Sequence, residues 1–278
     1  MEDLTGRGTG RRIVVVTGAT SGIGLAAAVR LARLGDEVVL VGRDQGRLDA
    51  AARRVREAGG AAPALFRADF AALDDVRRLA AELRGGYERI DVLANNAGGV
   101  ILTPRTSVDG FELTMQVNHL APFLLTNLLR DRLGRVVGTA SAAYRLGALD
   151  PDLLSLPPGR YRPARAYASS KQANVLFTAE AARRWPELLS TAYHPGPVRS
   201  RFAHDHPLVG LGMRLAFFLP GPDIGARTLV WLARQDAAGL VNGGYYVRGR
   251  LRRPGAKGSD PELAARLWRA SARAVGLA

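Results

Sequence analysis

Cysteine is missing altogether from the 278 residues. That excludes disulfides, thiolate nucleophiles and cysteine-based zinc or iron–sulfur sites. Histidine occurs only four times. His204 and His206 form an H-x-H pair with no third ligand in evidence, so no metal site is expected. No run reaches the roughly 18 apolar residues of a membrane-spanning helix. The opening MEDLTGRGTG lacks the apolar stretch of a signal peptide. Residues 1–10 are therefore expected to be a disordered tail, and the protein to be soluble and cytoplasmic. Lysine stands only at 171 and 257, although Lys and Arg together number 39 against 25 Asp and Glu, a formal net charge of +14. Such a charge suits nucleic acid when it is clustered. Here the arginines are spread along the whole chain. The one dense stretch, RGRLRRPGAK at 248–257, reads as a solvated loop. No nucleic-acid partner is expected.

What the chain does have is alternation of strand and helix. Residues 12–17 (RIVVVT) form a continuous β-branched apolar run, as in a strand buried on both faces. Further strands are expected over 37–41, 64–68, 91–94, 135–140, 189–193 and 243–247. Helices are expected from the turn at Gly18 to about 35, then to about 58, and over 73–83, 111–129, 164–185, 224–233 and 261–275. A Pro/Gly-rich insertion occupies 149–163. At 47% hydrophobic, the chain can bury a full core as one domain over 11–278. The expected fold is a Rossmann-type doubly wound parallel sheet of about seven strands with helices on both faces.

Two constellations carry chemistry. The first is the segment Gly18, Ala19, Thr20, Ser21, Gly22, Ile23, Gly24, a glycine turn where the first strand meets the first helix. Free N–H groups and the helix dipole there suit a pyrophosphate. At the end of the second strand, Gly42 occupies the position where an acid would bind a ribose 2′-hydroxyl. Arg43 follows and suits a 2′-phosphate, so NADP(H) is favoured over NAD(H). Asp44 is placed to cap the next helix. The second constellation is Tyr167 and Lys171, four apart on a helix and so on one face. A phenol beside an ammonium, with a dinucleotide nearby, points to carbonyl/alcohol redox chemistry.

TGATSGIG, NNAG at 95–98, Asn118, Ser141, Tyr167-x-x-x-Lys171 and PGPV at 195–198 occur in the order seen in the short-chain dehydrogenase/reductase family, which the chain resembles from about residue 11 onward. Segments such as SVDGFELTMQVNHLAPFLLTNLL and SSKQANVLF are similar to its retinol-dehydrogenase-like branch. The resemblance implies Tyr167 as general acid/base, with its pKa drawn down by Lys171 from about 10. Lys171 would also bind the nicotinamide ribose. Ser141 would orient the substrate oxygen, and Asn118 would hold a water linking Lys171 to solvent. Asp69 would face the adenine, and Asn95, Ala97 and Gly98 the adenosine ribose. Pro195, Gly196 and Val198 would present backbone to the carboxamide, with Ser200 nearby. GTAS at 138–141 departs from the usual NVSS, and the 128–135 connection is short for the family, which bears on any interface.

The resemblance implies a substrate loop over about 199–223. Its segment 208–219 (LVGLGMRLAFFL) is apolar enough to serve as a lid, a dimer contact or a peripheral membrane contact. Tyr144 and Tyr161 are candidates for the pocket wall. The expected activity is interconversion of a carbonyl and an alcohol on a medium-sized apolar molecule by a homo-oligomer or monomer. A non-catalytic NADP(H)-binding regulator and a C=C reductase remain alternatives. Loops set the substrate, so the fold does not name it.

Overall fold

A computed structural model describes residues 11–154, 161–198 and 220–277. The expected tail at 1–10 lies outside the described residues, as do Ser200, His204, His206 and the 208–219 segment. The core is one sheet in the order β3-β2-β1-β4-β5-β6-β7-β8. Its strands are β1 (Ile13–Thr17), β2 (Glu37–Gly42), β3 (Ala64–Arg67), β4 (Ile90–Asn95), β5 (Leu133–Thr139), β6 (Leu189–His194), β7 (Gly244–Val247) and β8 (Arg250–Arg252). All neighbouring pairs are parallel except β7 with β8. The strand order reverses between β1 and β4, and ligands of such sheets sit in the crevice beyond the strand ends at this point.

Side chains alternate between two helical layers. Val14 and Val16 pack with α1 (Gly22–Arg33), α2 (Gln45–Glu57) and α7 (Pro222–Arg234). Val15 packs with α3 (Leu73–Gly86), α5 (Ala121–Leu129), α6 (Pro163–Arg184) and α9 (Pro261–Ala274). Both faces being covered explains why β1 reads as unbroken valine rather than alternation. No helix among the described residues is long and apolar enough to cross a membrane.

Two regions depart from the sequence expectation. The helix expected over 111–129 is three pieces: α4 (Leu113–Met115), a π-turn (Gln116–Leu120) and α5. It starts at Leu113 because the buried Glu112 carboxylate accepts the N–H groups of Thr114 and Met115, at 2.7 and 2.8 Å. The π-turn inserts one residue into the helical register, and Asn118 and His119 within it are both buried at 1% exposure. The basic 248–257 stretch is only partly a loop. Its first half turns back through Arg248 and Gly249, both at positive φ, and adds the antiparallel strand β8. Its end forms α8 (Ala256–Ser259). Arginine is an unusual first residue for such a turn, which asparagine or glycine normally fills, so the hairpin carried no sequence signal.

Candidate active site

The crevice between β1 and β4 is tied by one hydroxyl. Thr17 Oγ1 donates to the Ala94 carbonyl at 3.1 Å and accepts the N–H groups of Asn96 and Ala97, each at 3.0 Å. The Asn96 amide completes the tie by donating to the Thr17 carbonyl at 2.9 Å. Backbone therefore meets backbone here: a Cβ on Gly18 would lie 2.9 Å from Ala97 Cα, and one on Gly24 would lie 2.4 Å from the Gly18 carbonyl oxygen. Gly18 and Gly22 also take positive φ, 65° and 54°. Only glycine meets both demands.

This turn fits a pyrophosphate. Ser21 precedes α1 with no side-chain cap bond, and the first turn carries no acid. By contrast, Asp260 caps α9 and Asp74 and Asp75 open α3. Uncapped N–H groups and the positive end of the helix dipole thus face the crevice beside Thr20, Ser21 and Ile23. On its far side, Val198 and Ile23 converge on α7, each within 3.1 Å of where a Gly225 Cβ would be. Gly196, between Pro195 and Val198, takes φ 85°.

At the end of β2 no carboxylate is available. A Cβ on Gly42 would already lie 2.5 Å from Thr20 Cγ2, so an acidic side chain does not fit without moving Thr20. Asp44 accepts from the Arg47 N–H at 2.8 Å and is spent as the cap of α2. Arg43 is exposed next to them. Asp69 stands past β3, where one carboxylate oxygen accepts from the Ala71 N–H at 3.0 Å. Gly98 borders Lys171, whereas the Asn95 side chain turns inward and donates to Thr126 Oγ1 at 2.9 Å.

The second constellation gathers where β5 ends against α6. Tyr167 and Ser141 share a side-chain hydrogen bond. Ser141 is held by its own loop, its Oγ accepting from the Ala143 N–H at 3.2 Å. Lys171, 3% exposed, donates through Nζ to the Thr139 carbonyl at 2.9 Å, with Nζ 5.7 Å from the centre of the Tyr167 ring. Asn118 spans Gly99, accepting from its N–H and donating to its carbonyl, and also donates to Ser170 Oγ at 2.9 Å. Ser170 in turn donates to the Tyr167 carbonyl at 2.8 Å. The Asn118 side chain thus braces the Gly99 backbone against α6.

The electrostatics differ from expectation. Burial pushes the Tyr167 phenol up to about 12, and the Ser141 bond only partly offsets this. Burial sets the net direction, and the neighbouring Lys171 ammonium donates to the Thr139 carbonyl. Burial also lowers Lys171 to about 8. The phenol is therefore a protonated acid at neutral pH, beside an ammonium close to its own titration.

Several participants were not legible beforehand. Thr139 acts through a carbonyl, which any residue provides. His194 at the end of β6 accepts from the Ala142 N–H at 3.3 Å and so steadies the Ser141 loop. Its position just before PGPV was the only available signal. The two candidate wall tyrosines are buried and engaged. Tyr144 packs edge-on to Tyr245, and Tyr161 donates to the Ile101 carbonyl at 2.5 Å.

The short chain dehydrogenase family profile matches residues 12–150. The chain belongs to that family. It is 51% identical over 267 residues to DnrU of Streptomyces sp. (strain C5), a provisionally named daunorubicin C-13 ketoreductase, with 95% of this chain and 93% of that protein covered. Human retinol dehydrogenase 13 is 36% identical over 281 residues, covering 96% and 85%. A provisionally assigned short chain dehydrogenase of Shigella flexneri 2a str. 301, complexed with NADP, superposes with a TM-score of 0.67 at 25% identity, covering 90% and 100%.

Two outcomes are expected. Thr17→Val leaves two part-buried N–H groups without an acceptor, so urea unfolding should register a loss of about 1–3 kcal/mol, and dinucleotide affinity should fall with it. Holding Lys171 charged below its ordinary 10.5, at about 8, costs the folded state about 3 kcal/mol. Lys171→Met removes that cost, so it should raise stability at pH 7 by about 1–3 kcal/mol. The penalty is complete below the folded value and vanishes above the unfolded one. The gain should therefore shrink as pH climbs from about 8 to 10.5.

Proposed function

We propose that the protein is an NADP(H)-dependent reductase that converts a ketone or aldehyde on a medium-sized, largely apolar molecule to the alcohol. The observation that carries this reading is the placement of the Tyr167 phenol beside Ser141 and the buried Lys171 ammonium, whose Nζ lies 5.7 Å from the centre of the phenol ring. It stands in a chain whose crevice offers Arg43 and no free carboxylate at the end of β2. Likeness to a provisionally named C-13 ketoreductase supports a ketone on a bulky compound. The NADP complex of a relative supports the cofactor.

Gly18, Thr20, Ser21, Gly22, Ile23 and Gly24 would hold the pyrophosphate, and Arg43 the 2′-phosphate; Asp69, Ala97 and Gly98 would border the adenosine, and Pro195, Gly196, Val198 and Lys171 the nicotinamide end. When bound, the cofactor supplies the hydride. Ser141 donates to the substrate carbonyl oxygen and fixes its position. Tyr167 transfers its phenolic proton to that oxygen as negative charge develops on it. The phenolate left behind is stabilised by Lys171, whose charge is worth more for being buried. Asn118 keeps the Gly98–Gly99 backbone against α6, so the lysine has one place to sit.

The test is NADPH consumption by purified protein against a panel of ketones, aldehydes and quinones. Turnover should prefer NADPH to NADH and should drop by about 10²–10⁴-fold in Tyr167→Phe. Reductive kcat should hold steady below about pH 8 and decline above it, where Lys171 loses its proton. Cofactor binding without turnover on any compound would overturn the reductase reading.

A further inference from the structure

The basic stretch that ends at Lys257 takes no part in the chemistry above, yet its end lies against the loop that carries Ser141. Of the chain's 39 Lys and Arg residues only two are lysine, at 171 and 257. Both ammonium groups donate to main-chain carbonyls, and those carbonyls flank Ser141. Lys171 Nζ reaches the Thr139 oxygen at 2.9 Å, on the strand before the serine. Lys257 Nζ reaches the Gly147 oxygen at 2.7 Å, at the end of the turn after it. A compact ammonium suits a single carbonyl better than a planar guanidinium does.

From Ser141 to Gly147 the main chain is a relay of hydrogen bonds. Ser141 caps the 3₁₀ turn Ala142–Leu146, its Oγ accepting from the Ala143 N–H at 3.2 Å. The Ser141 carbonyl accepts from the Tyr144 N–H at 3.1 Å, and the Tyr144 carbonyl from the Gly147 N–H at 3.0 Å. The Gly147 carbonyl is next in this series, at the negative end of the turn, where a cation is favoured. Gln172, 3% exposed on α6, closes the arrangement. Its amide oxygen accepts from the Leu149 N–H at 3.1 Å, and its NH₂ donates to the Lys257 carbonyl at 3.0 Å. The lysine, the glutamine and the 147–149 backbone thus form one ring across three elements. The fit is close on both sides. A Cβ on Gly147 would lie 2.9 Å from both Gln172 Cβ and the Tyr144 carbonyl oxygen. One on Gly258 would lie 2.8 Å from Pro254 Cβ and 3.1 Å from Tyr144 Cε2.

We propose that Lys257 is a positioning residue for Ser141, acting through the Gly147 carbonyl and the 3₁₀ turn, with Gln172 fixing the lysine's own backbone. The inference rests on the reading of Ser141 given above, as the hydroxyl that places the substrate oxygen. A serine on a loop orients a substrate only as well as the loop is held. Lys171 holds the strand end before it, and Lys257 holds the turn after it. The antiparallel pairing of β8 with β7, followed directly by α8, is what carries residue 257 to that place.

The test compares full-length wild type, Lys257→Met, Lys257→Arg and Gln172→Met, each checked for folding by circular dichroism. Hydrogen exchange is followed in peptides spanning 142–149, and kcat and KM are measured with NADPH and the fastest compound of the panel above. Lys257→Met keeps the aliphatic stem and removes the donor, so exchange across 142–149 should speed up by about tenfold or more. Its kcat should fall by about fivefold or more, while KM for NADPH changes by less than about twofold. Lys257→Arg keeps a cationic donor and should recover most of both. Gln172→Met should reproduce the faster exchange; should it fail to fold, Lys257→Met decides. In a Ser141→Ala background no hydroxyl is left to position, so Lys257→Met should lower kcat by less than about twofold further. A folded Lys257→Met with unchanged exchange, or with faster exchange and unchanged kcat, would overturn the proposal. An undiminished further loss of kcat in the Ser141→Ala background would do the same. Faster exchange in a protein that turns over no compound would uphold the hold of Lys257 on the turn and reject the reductase.

Discussion

The Thr17 hydroxyl is the interaction on which the rest depends. It sits where β1 ends, at the one place in the sheet where strand order reverses, and it joins that end to the end of β4 with three hydrogen bonds. With those ends held together, the backbone at Gly18 and Gly24 has no room for a side chain. The start of α1 is then presented uncapped to the crevice. A phosphate site made of main-chain N–H groups is only as exact as the backbone that carries them. The threonine supplies that precision to the backbone of the turn from beneath it.

The side of the crevice that holds Tyr167 and Lys171 is built on an opposite principle. There the fold accepts a cost, placing an ammonium at 3% exposure with a carbonyl as its direct acceptor. Such a group weakens the folded state and strengthens electrostatics inside the site, the usual trade between stability and activity. The site tolerates it because every neighbour is over-determined. Ser141 is held by its own loop and by His194 through Ala142. Asn118 is held by both polar groups of Gly99. The sheet end and α6 meet here with few degrees of freedom left.

Much of the architecture was legible because burial on both faces writes itself as apolar runs. RIVVVT and EVVLV could be nothing but interior strands, and Tyr167 and Lys171 needed only the helical repeat to be placed together. Legibility failed where the structure works through main chain or through irregularity. The π-turn is invisible to a 3.6-residue period, so the 111–129 segment looked like one helix. Strand β8 depends on Arg248 accepting φ 52°, against its usual preference. Asn95 and Asn96 are indistinguishable in NNAG, yet one faces Thr126 and the other Thr17. The direction of the Tyr167 shift was misjudged because charge proximity is readable from spacing, whereas burial is a property of the packed whole.

The central claim is that the β1–β4 crevice is built for a dinucleotide bearing a 2′-phosphate. Equilibrium titration of the protein with NADPH and with NADH, at matched ionic strength, tests it most directly. The account predicts binding of both, with NADPH tighter by about tenfold or more, equivalent to about 1.4 kcal/mol from one arginine–phosphate contact, and with that margin lost in Arg43→Ala. Equal affinities, a preference for NADH, or no binding of either would contradict it.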